Sequence, residues 1–273
     1  MSSEGGSGEG RRGMGRSGAR GARWLKLAAL GAACTLGLAG VAAAERFVAG
    51  KLILDVDGGF SPKTLPKKSF APVTLRGKGN ISTTDGTVPP VMTRAIVEFD
   101  RNGKLDTRGL AVCRPVRLED TVVKQARKVC KRAIVGTGFA SAQVTFPDQP
   151  PIPATSPLTI FNGPRRGGNP TSIIHAYTTI PAPTTFVVVA PITRAKGRYR
   201  YRVTANVPPI AGGYGALTFT RFKVGRVYKH KGKRRSYASA RCRDGRLQAR
   251  GSFQFADGTV ISGTALRRCK ARK

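Results

Sequence analysis

The sequence predicts an all-β protein: mainly an antiparallel meander, folded as a sandwich, a barrel or a curved open sheet (half-barrel), with one helix near residues 120–135. Three observations carry this. Runs rich in Val, Ile, Thr, Phe and Tyr recur roughly every 8–15 residues, separated by Gly, Pro or Asp-Gly. The 34 Gly and 18 Pro of the 273 residues punctuate the chain too often for long helices. One stretch alone shows a sustained helical period. The glycines fall far below one residue in three, which excludes collagen. The recurring apolar runs exclude wholesale disorder.

Residues 1–44 read as a targeting segment. Met1 to Arg23 is rich in Gly, Ser and Arg, and an apolar run from Trp24 to Val41 ends in Ala42-Ala43-Ala44. Basic start, apolar middle and small-residue exit are the parts of a signal peptide, or of an N-terminal membrane anchor over residues 24–44. Either places the rest outside the cytoplasm, as a secreted or cell-envelope protein. Arg11-Arg12 lacks the apolar pair of a twin-arginine signal, and Gly31-Ala32-Ala33-Cys34 lacks the large residue of a lipidation site.

Residues 45–72 read as an entry segment, with a short strand at Lys51–Val56 and a loop around Pro62, Pro66 and Pro72. Residues 73–273 read as one β-rich domain. Thr93–Phe99 alternates and meets Asn102-Gly103, a dipeptide suited to the positive φ values of a two-residue hairpin turn. Asp120 is a candidate N-cap. After it Val122, Val123, Ala126, Val129, Cys130 and Ala133 fall at helical spacing, and Gly136 and Gly138 end the run. Further strands are expected at Phe139–Phe146, Pro157–Phe161, Thr171–Ile180, Thr185–Ile192, Tyr199–Asn206, Ala216–Tyr228, Ser236–Cys242, Leu247–Phe255 and Thr259–Leu266.

Four cysteines follow the targeting segment: Cys113, Cys130, Cys242 and Cys269. An even number in an exported chain favours disulfides. The sequence-local pairing is expected, Cys113–Cys130 pinning the helix and Cys242–Cys269 closing the C-terminal strands. The second pair poses a geometric problem. Cysteines on strands flanking a common partner lie ~9–10 Å apart, beyond disulfide reach, so the chain after Leu266 must curl back.

The segments Pro62–Pro66, Arg108–Cys113, Phe146–Pro153 and Phe253–Thr259 resemble a set of exported proteins of high-GC actinobacteria. The resemblance spans most of the chain after residue 44. It implies export and brings no activity with it.

Catalytic patterns are scarce. His175 lies in a Thr/Ile/Tyr strand and His230 in a Lys/Arg cluster, each without an acid close in sequence. No Gly-x-Ser-x-Gly, His-Glu-x-x-His or phosphate-loop pattern occurs. Asp55-Val56-Asp57-Gly58 opens like a calcium loop, but Pro66 stands where the closing Glu belongs. No cofactor or metal is implied.

Charge is the informative feature. The chain has 48 Lys+Arg against 14 Asp+Glu, a formal net charge of +34, and no acid between Asp148 and Asp244. Arg198, Arg200 and Arg202 alternate with Tyr199, Tyr201 and Val203, so in a regular strand the arginines share one face. Lys229, Lys231, Lys233, Arg234 and Arg235 form a second cluster at an expected hairpin tip. Gly163–Gly168, with Arg165 and Arg166, is a smaller tip. Such surfaces attract anions. Export argues against nucleic acid as the native partner, whereas an anionic cell-envelope polymer or lipid headgroups fit the location. The expected function is therefore a non-enzymatic, exported β-protein contacting anionic envelope material. The alternatives are a carrier holding an apolar ligand in a curved sheet, with aromatic inward faces such as Phe253 and Phe255, and a hydrolase of unrecognised type.

Overall fold

The computed structural model of the protein describes residues 44–272. The expectations for residues 1–43 lie outside the described residues. No helix among the described residues is long and apolar enough to cross a membrane.

The first strands are β1 (Glu45–Ala49), β2 (Leu52–Ser61), β3 (Thr64–Pro66), β4 (Ala71–Pro72), β5 (Thr74–Thr83), β6 (Met92–Asp100) and β7 (Gly103–Leu105). Helix α1 (Val123–Val129) comes next. Then follow β8 (Ile134–Val144), β9 (Ile152–Arg166), β10 (Asn169–Thr178), β11 (Thr184–Arg194) and β12 (Tyr199–Asn206). The last are β13 (Gly215–Val224), β14 (Val227–His230), β15 (Lys233–Ser236), β16 (Ala238–Ala240), β17 (Arg246–Phe255), β18 (Val260–Arg268) and β19 (Lys270–Arg272).

Twelve strands form one antiparallel sheet in the order β1-β2-β5-β13-β8-β9-β10-β11-β12-β6-β17-β18. β8 to β12 are the expected meander; β6 enters between β12 and β17. The sheet curls until its outer strands meet, so it is barrel-like and nearly closed. The β1/β18 seam has no ladder of backbone hydrogen bonds. Arg267 of β18, 9% exposed, latches it through Glu45 Oε2 (2.8 Å), Asp57 Oδ1 (3.1 Å) and the Gly58 carbonyl. The Phe47 ring of β1 occupies the space where a side chain on Gly263 of β18 would stand.

Register defines the inner face. Leu54, Val56, Gly58 and Phe60 lie opposite Ile81, Gly79, Gly77 and Leu75, and Val224 and Phe222 lie opposite Leu75 and Gly77. Two buried clusters fill the inside at its ends. One holds Leu52, Leu54, Ile81, Met92, Phe255 and Ile261. The other joins Phe60, Val135 and Ile160 to a plug built from β16, β4 and β7, centred on Tyr237. Tyr237 is 3% exposed, and its hydroxyl pairs with Ser172 Oγ at 2.9 Å.

Segment 45–72, expected as an entry, is part of the body: β1 and β2 belong to the main sheet. Its Gly58-Gly59 hides the alternation from a sequence reading. Asn102-Gly103 does not make a hairpin. β6 pairs with β12 and β17, and β7 pairs with β16. Asp100 Oδ1 instead accepts the Asn102 N–H (2.8 Å), turning the chain into the plug.

Helix α1 is shorter than its spacing predicts. Asp120 has φ +54°, so it does not cap. Val122 takes the N-cap position, and its N–H donates to Gln125 Oε1 (3.3 Å). A 3-10 turn follows at Lys131–Ala133. The helix lies on the outer face of β9 and β10, where Ala126, Cys130 and Ala133 pack with Cys113, Phe161 and Ile173.

Both disulfides form as the local pairing predicts, with Cα–Cα distances of 5.5 Å for Cys113–Cys130 and 5.9 Å for Cys242–Cys269. The second is reached by the anticipated curl. After Arg268 the chain leaves the main sheet, and β19 pairs in parallel with β3. The Cys242 N–H donates to the Pro66 carbonyl and the Cys269 N–H to the Gly245 carbonyl, each at 2.9 Å.

Candidate anion-binding pocket

Two arginines of β12 sit in unlike surroundings. The ladder between β12 and β6 shifts register between Tyr199 and Tyr201, and this interrupts the strict alternation read from the sequence. Arg202, beyond the shift, lies opposite Glu98. Its Nε donates to Glu98 Oε1 at 2.9 Å, and Arg250 Nε of β17 donates to Oε2 at 2.7 Å. The Glu98 side chain is 5% exposed beneath the two half-exposed arginines. Burial would raise its pKa, but the hydrogen bonds and charges of Arg202 and Arg250 outweigh this and lower it. Arg202 is thus a paired cation.

Arg200 stands at the shift. Its guanidinium lies 5.4 Å from the Phe70 ring centre and donates to the Gly103 carbonyl (3.3 Å). Lys104 and Arg241 approach the same ring at 5.6 and 5.0 Å. A single ring thus holds three cations close together. Arg198 is exposed in the turn before β12.

Arg200 opens onto a pocket of about 430 Å3, within the range of small-ligand sites. Its walls come from three places. Lys104, Asp106 and Arg108 belong to β7 and the loop after it. Arg165 belongs to the β9–β10 tip. Ile192, Arg194 and Tyr201 belong to β11 and β12. Arg194 stacks on Tyr201 at 4.9 Å. Arg165 Nε donates to the Gly168 carbonyl (2.9 Å), which holds the tip in place.

Asp106 is the one carboxylate of this lining, and it is already engaged. Arg108 reaches it at 3.0 Å and Arg235 at 2.8 Å. Burial alone would raise its pKa, yet the hydrogen bonds of Arg108 and Arg235 hold it at about 2. Among the described residues, Lys104, Arg165, Arg194 and Arg200 have no carboxylate partner within salt-bridge distance. The pocket therefore keeps an excess of positive charge.

The Lys229–Arg235 cluster forms the expected tip. Lys231 and Gly232 turn the β14–β15 hairpin at φ +49° and +72°. The His230 ring packs against Gly109, and the Tyr228 hydroxyl donates to the Asp106 carbonyl (2.9 Å), so the hairpin lies over the loop that lines the pocket. Lys229, Lys231, Lys233 and Arg234 are exposed, while Arg235 turns in to Asp106. The sequence reading missed Lys104, Asp106, Arg108 and Arg194. The acid-free stretch from Gln149 to Arg243 was the available signal, since it supplies Arg165, Arg194 and Arg200.

His175 is fully buried under α1. Its Nε2 lies 2.9 Å from the Thr121 carbonyl, to which it donates as the Nε2–H tautomer, and Nδ1 has no partner. Burial lowers its pKa. Its hydrogen bonds run to Thr121 and not to a carboxylate. Among the described residues no group of three or more His, Cys, Asp or Glu side chains could hold a metal.

No family model, curated protein or solved structure matches this chain.

Proposed function

We propose that the protein is an exported, non-enzymatic β-protein that binds anionic envelope material through the Lys104/Arg165/Arg194/Arg200 pocket. One observation carries the reading. Four cations without carboxylate partners line a pocket of about 430 Å3 whose single carboxylate, Asp106, is already shared by Arg108 and Arg235. Such a site favours a compact phosphoryl or carboxylate group, because several guanidinium and ammonium donors converge on it and each can make a charge-assisted hydrogen bond. The two disulfides suit an oxidising compartment. With the targeting segment and the resemblance to exported proteins, they support export.

Calorimetric titration with glycerol phosphate at two salt concentrations tests the site. Binding that weakens with salt and falls at least about tenfold in Arg194→Glu is the expected result. No binding by the wild-type protein, or binding indifferent to Arg194→Glu, would refute the reading.

A further inference from the structure

The inner wall of the barrel is largely apolar, with Thr220 and Ser156 as polar exceptions, and it is incompletely covered. Between the two buried end clusters, its inward positions are only half-buried: Val97, Leu158, Ala176, Val188 and Val203 are examples. Phe222 points inward, opposite Gly77 and Gly138, yet it is 36% exposed. Its ring lies over Gly77, where any side chain would collide with it. Geometry explains the opening. A circle of twelve strands ~4.8 Å apart is about 18 Å across, whereas facing sheets whose side chains interdigitate stand ~10 Å apart. Gly and Ala at mid-height, such as Gly77, Gly138, Ala176 and Gly251, leave that extra width unfilled. An apolar concave surface open to solvent is a ligand surface more often than a folding defect.

On the β12–β6 side this wall leads toward the basic pocket: Tyr201, Phe99, Val203 and Val97 follow one another along the inner face and are all half-buried. Ile192 and Tyr201 line the pocket. Both belong to inward rows, Ile192 opposite Val203, and Tyr201 opposite Phe99. The Tyr201 row continues inward through Val203 to Val97, whereas on β11 the fully buried Ala190 stands between Ile192 and Val188. Positive charge at the rim and uncharged wall behind it match one kind of molecule. We infer that the barrel takes a single-chain anionic amphiphile, its headgroup at Arg165, Arg194 and Arg200 and its acyl tail along the inner wall. This rests on the pocket reading above and adds the tail to it.

Three probes separate head from tail: glycerol phosphate (head alone), monomyristin (tail with an uncharged head) and myristoyl lysophosphatidic acid (both). Each is titrated below the concentration at which it aggregates. The lysophosphatidic acid should bind at least tenfold tighter than glycerol phosphate. Ala176→Trp, which fills the wall, should abolish that difference and leave glycerol phosphate binding unchanged. Val188→Gln, a milder polar change, should reduce the difference with the fold retained by circular dichroism. Arg194→Gln should weaken both anionic probes. Equal affinity for glycerol phosphate and lysophosphatidic acid would overturn the tail inference and leave the pocket reading standing. Binding of monomyristin with none of glycerol phosphate would overturn the pocket reading instead. No binding of any probe would overturn both.

Discussion

Arg200 and Arg202 are two residues apart on β12 and have opposite circumstances. Arg202 shares Glu98 with Arg250 across three adjacent strands, so its charge is matched where it stands. Arg200 has an aromatic ring and a backbone carbonyl for partners and faces a pocket whose only acid is taken. The two clusters differ in carboxylate supply. The Glu98 cluster holds two arginines to one acid, in a sheet whose ladder fixes all three. The pocket holds five cations to one acid, drawn from loops and strand ends. In a chain of net charge +34, the number of basic residues at a place therefore says little about binding, and the number left without a counter-charge says more.

The largest expected effect breaks the pocket cluster. Arg194→Glu with Arg200→Glu removes two charged donors and replaces them with repelling carboxylates. Each charge-assisted hydrogen bond is worth about 1.5–3 kcal/mol, so glycerol phosphate affinity should fall at least about a hundredfold. Titration calorimetry measures it, and a loss below tenfold would place the ligand elsewhere. The Glu98 cluster gives the complementary result. Glu98→Gln leaves Arg202 and Arg250 without their carboxylate, and the half exposure of both arginines moderates the cost to about 2 kcal/mol. Urea unfolding should show that loss while affinity for glycerol phosphate stays unchanged.

The sequence made the sheet legible because alternation is a local property. Tyr199–Asn206, for instance, is β12 at both ends. The local cysteine pairing was legible too: the helix face pointed to Cys113–Cys130, and the obstacle to Cys242–Cys269 could itself be read as a chain that must curl back after Leu266. What failed depended on distant partners. Asn102-Gly103 has hairpin chemistry, but β16 competes for β7, and the buried Asn102 side chain accepts from Arg241 Nε (3.1 Å) across 139 residues. The register shift at Arg200 belongs to the pairing with β6, so no inspection of β12 alone finds it. The pocket combines four separate stretches of chain. Its sign was readable from the acid-free run, but its location was not.

Acid separates the clusters from the rest of the fold. Asp106 and Glu98 both have pKa values lowered by folding, so their stabilisation is complete above the unfolded carboxylate range near pH 4 and is lost as pH falls. For Asp106 the loss runs down through about 2, and its shift corresponds to about 2 kcal/mol. His175 occupies another window. Its pKa is also lowered, but the group is a base, so the fold loses stability as pH drops below about 6.5. Unfolding free energy against pH should therefore decline in two phases. Asp106→Asn should remove much of the acidic phase and His175→Gln the upper one. Asp106→Asn should also tighten glycerol phosphate binding at neutral pH, because it releases Arg108, even as it weakens the contact between plug and hairpin.

The smallest effect is the most discriminating. Arg202→Gln deletes a cation two residues from Arg200 on the same strand, and the two would be interchangeable if the basic stripe acted as a uniform surface. Arg202 is half-exposed, and its ion pair with Glu98 is partly screened by water, so its loss should cost at most about 1 kcal/mol of stability. Arg250 remains to satisfy the buried carboxylate. Affinity for glycerol phosphate should not change, and neither should its dependence on salt, because the pocket gains and loses no unpaired charge. Arg200→Gln, measured in parallel, should weaken binding about tenfold, the value of one charged hydrogen bond near the lower end of its range. Equal losses for the two variants would mean that the ligand reads the whole face of β12, and the distinction drawn from Glu98 would fall. A loss confined to Arg200→Gln would locate the headgroup on the unpaired side of the register shift.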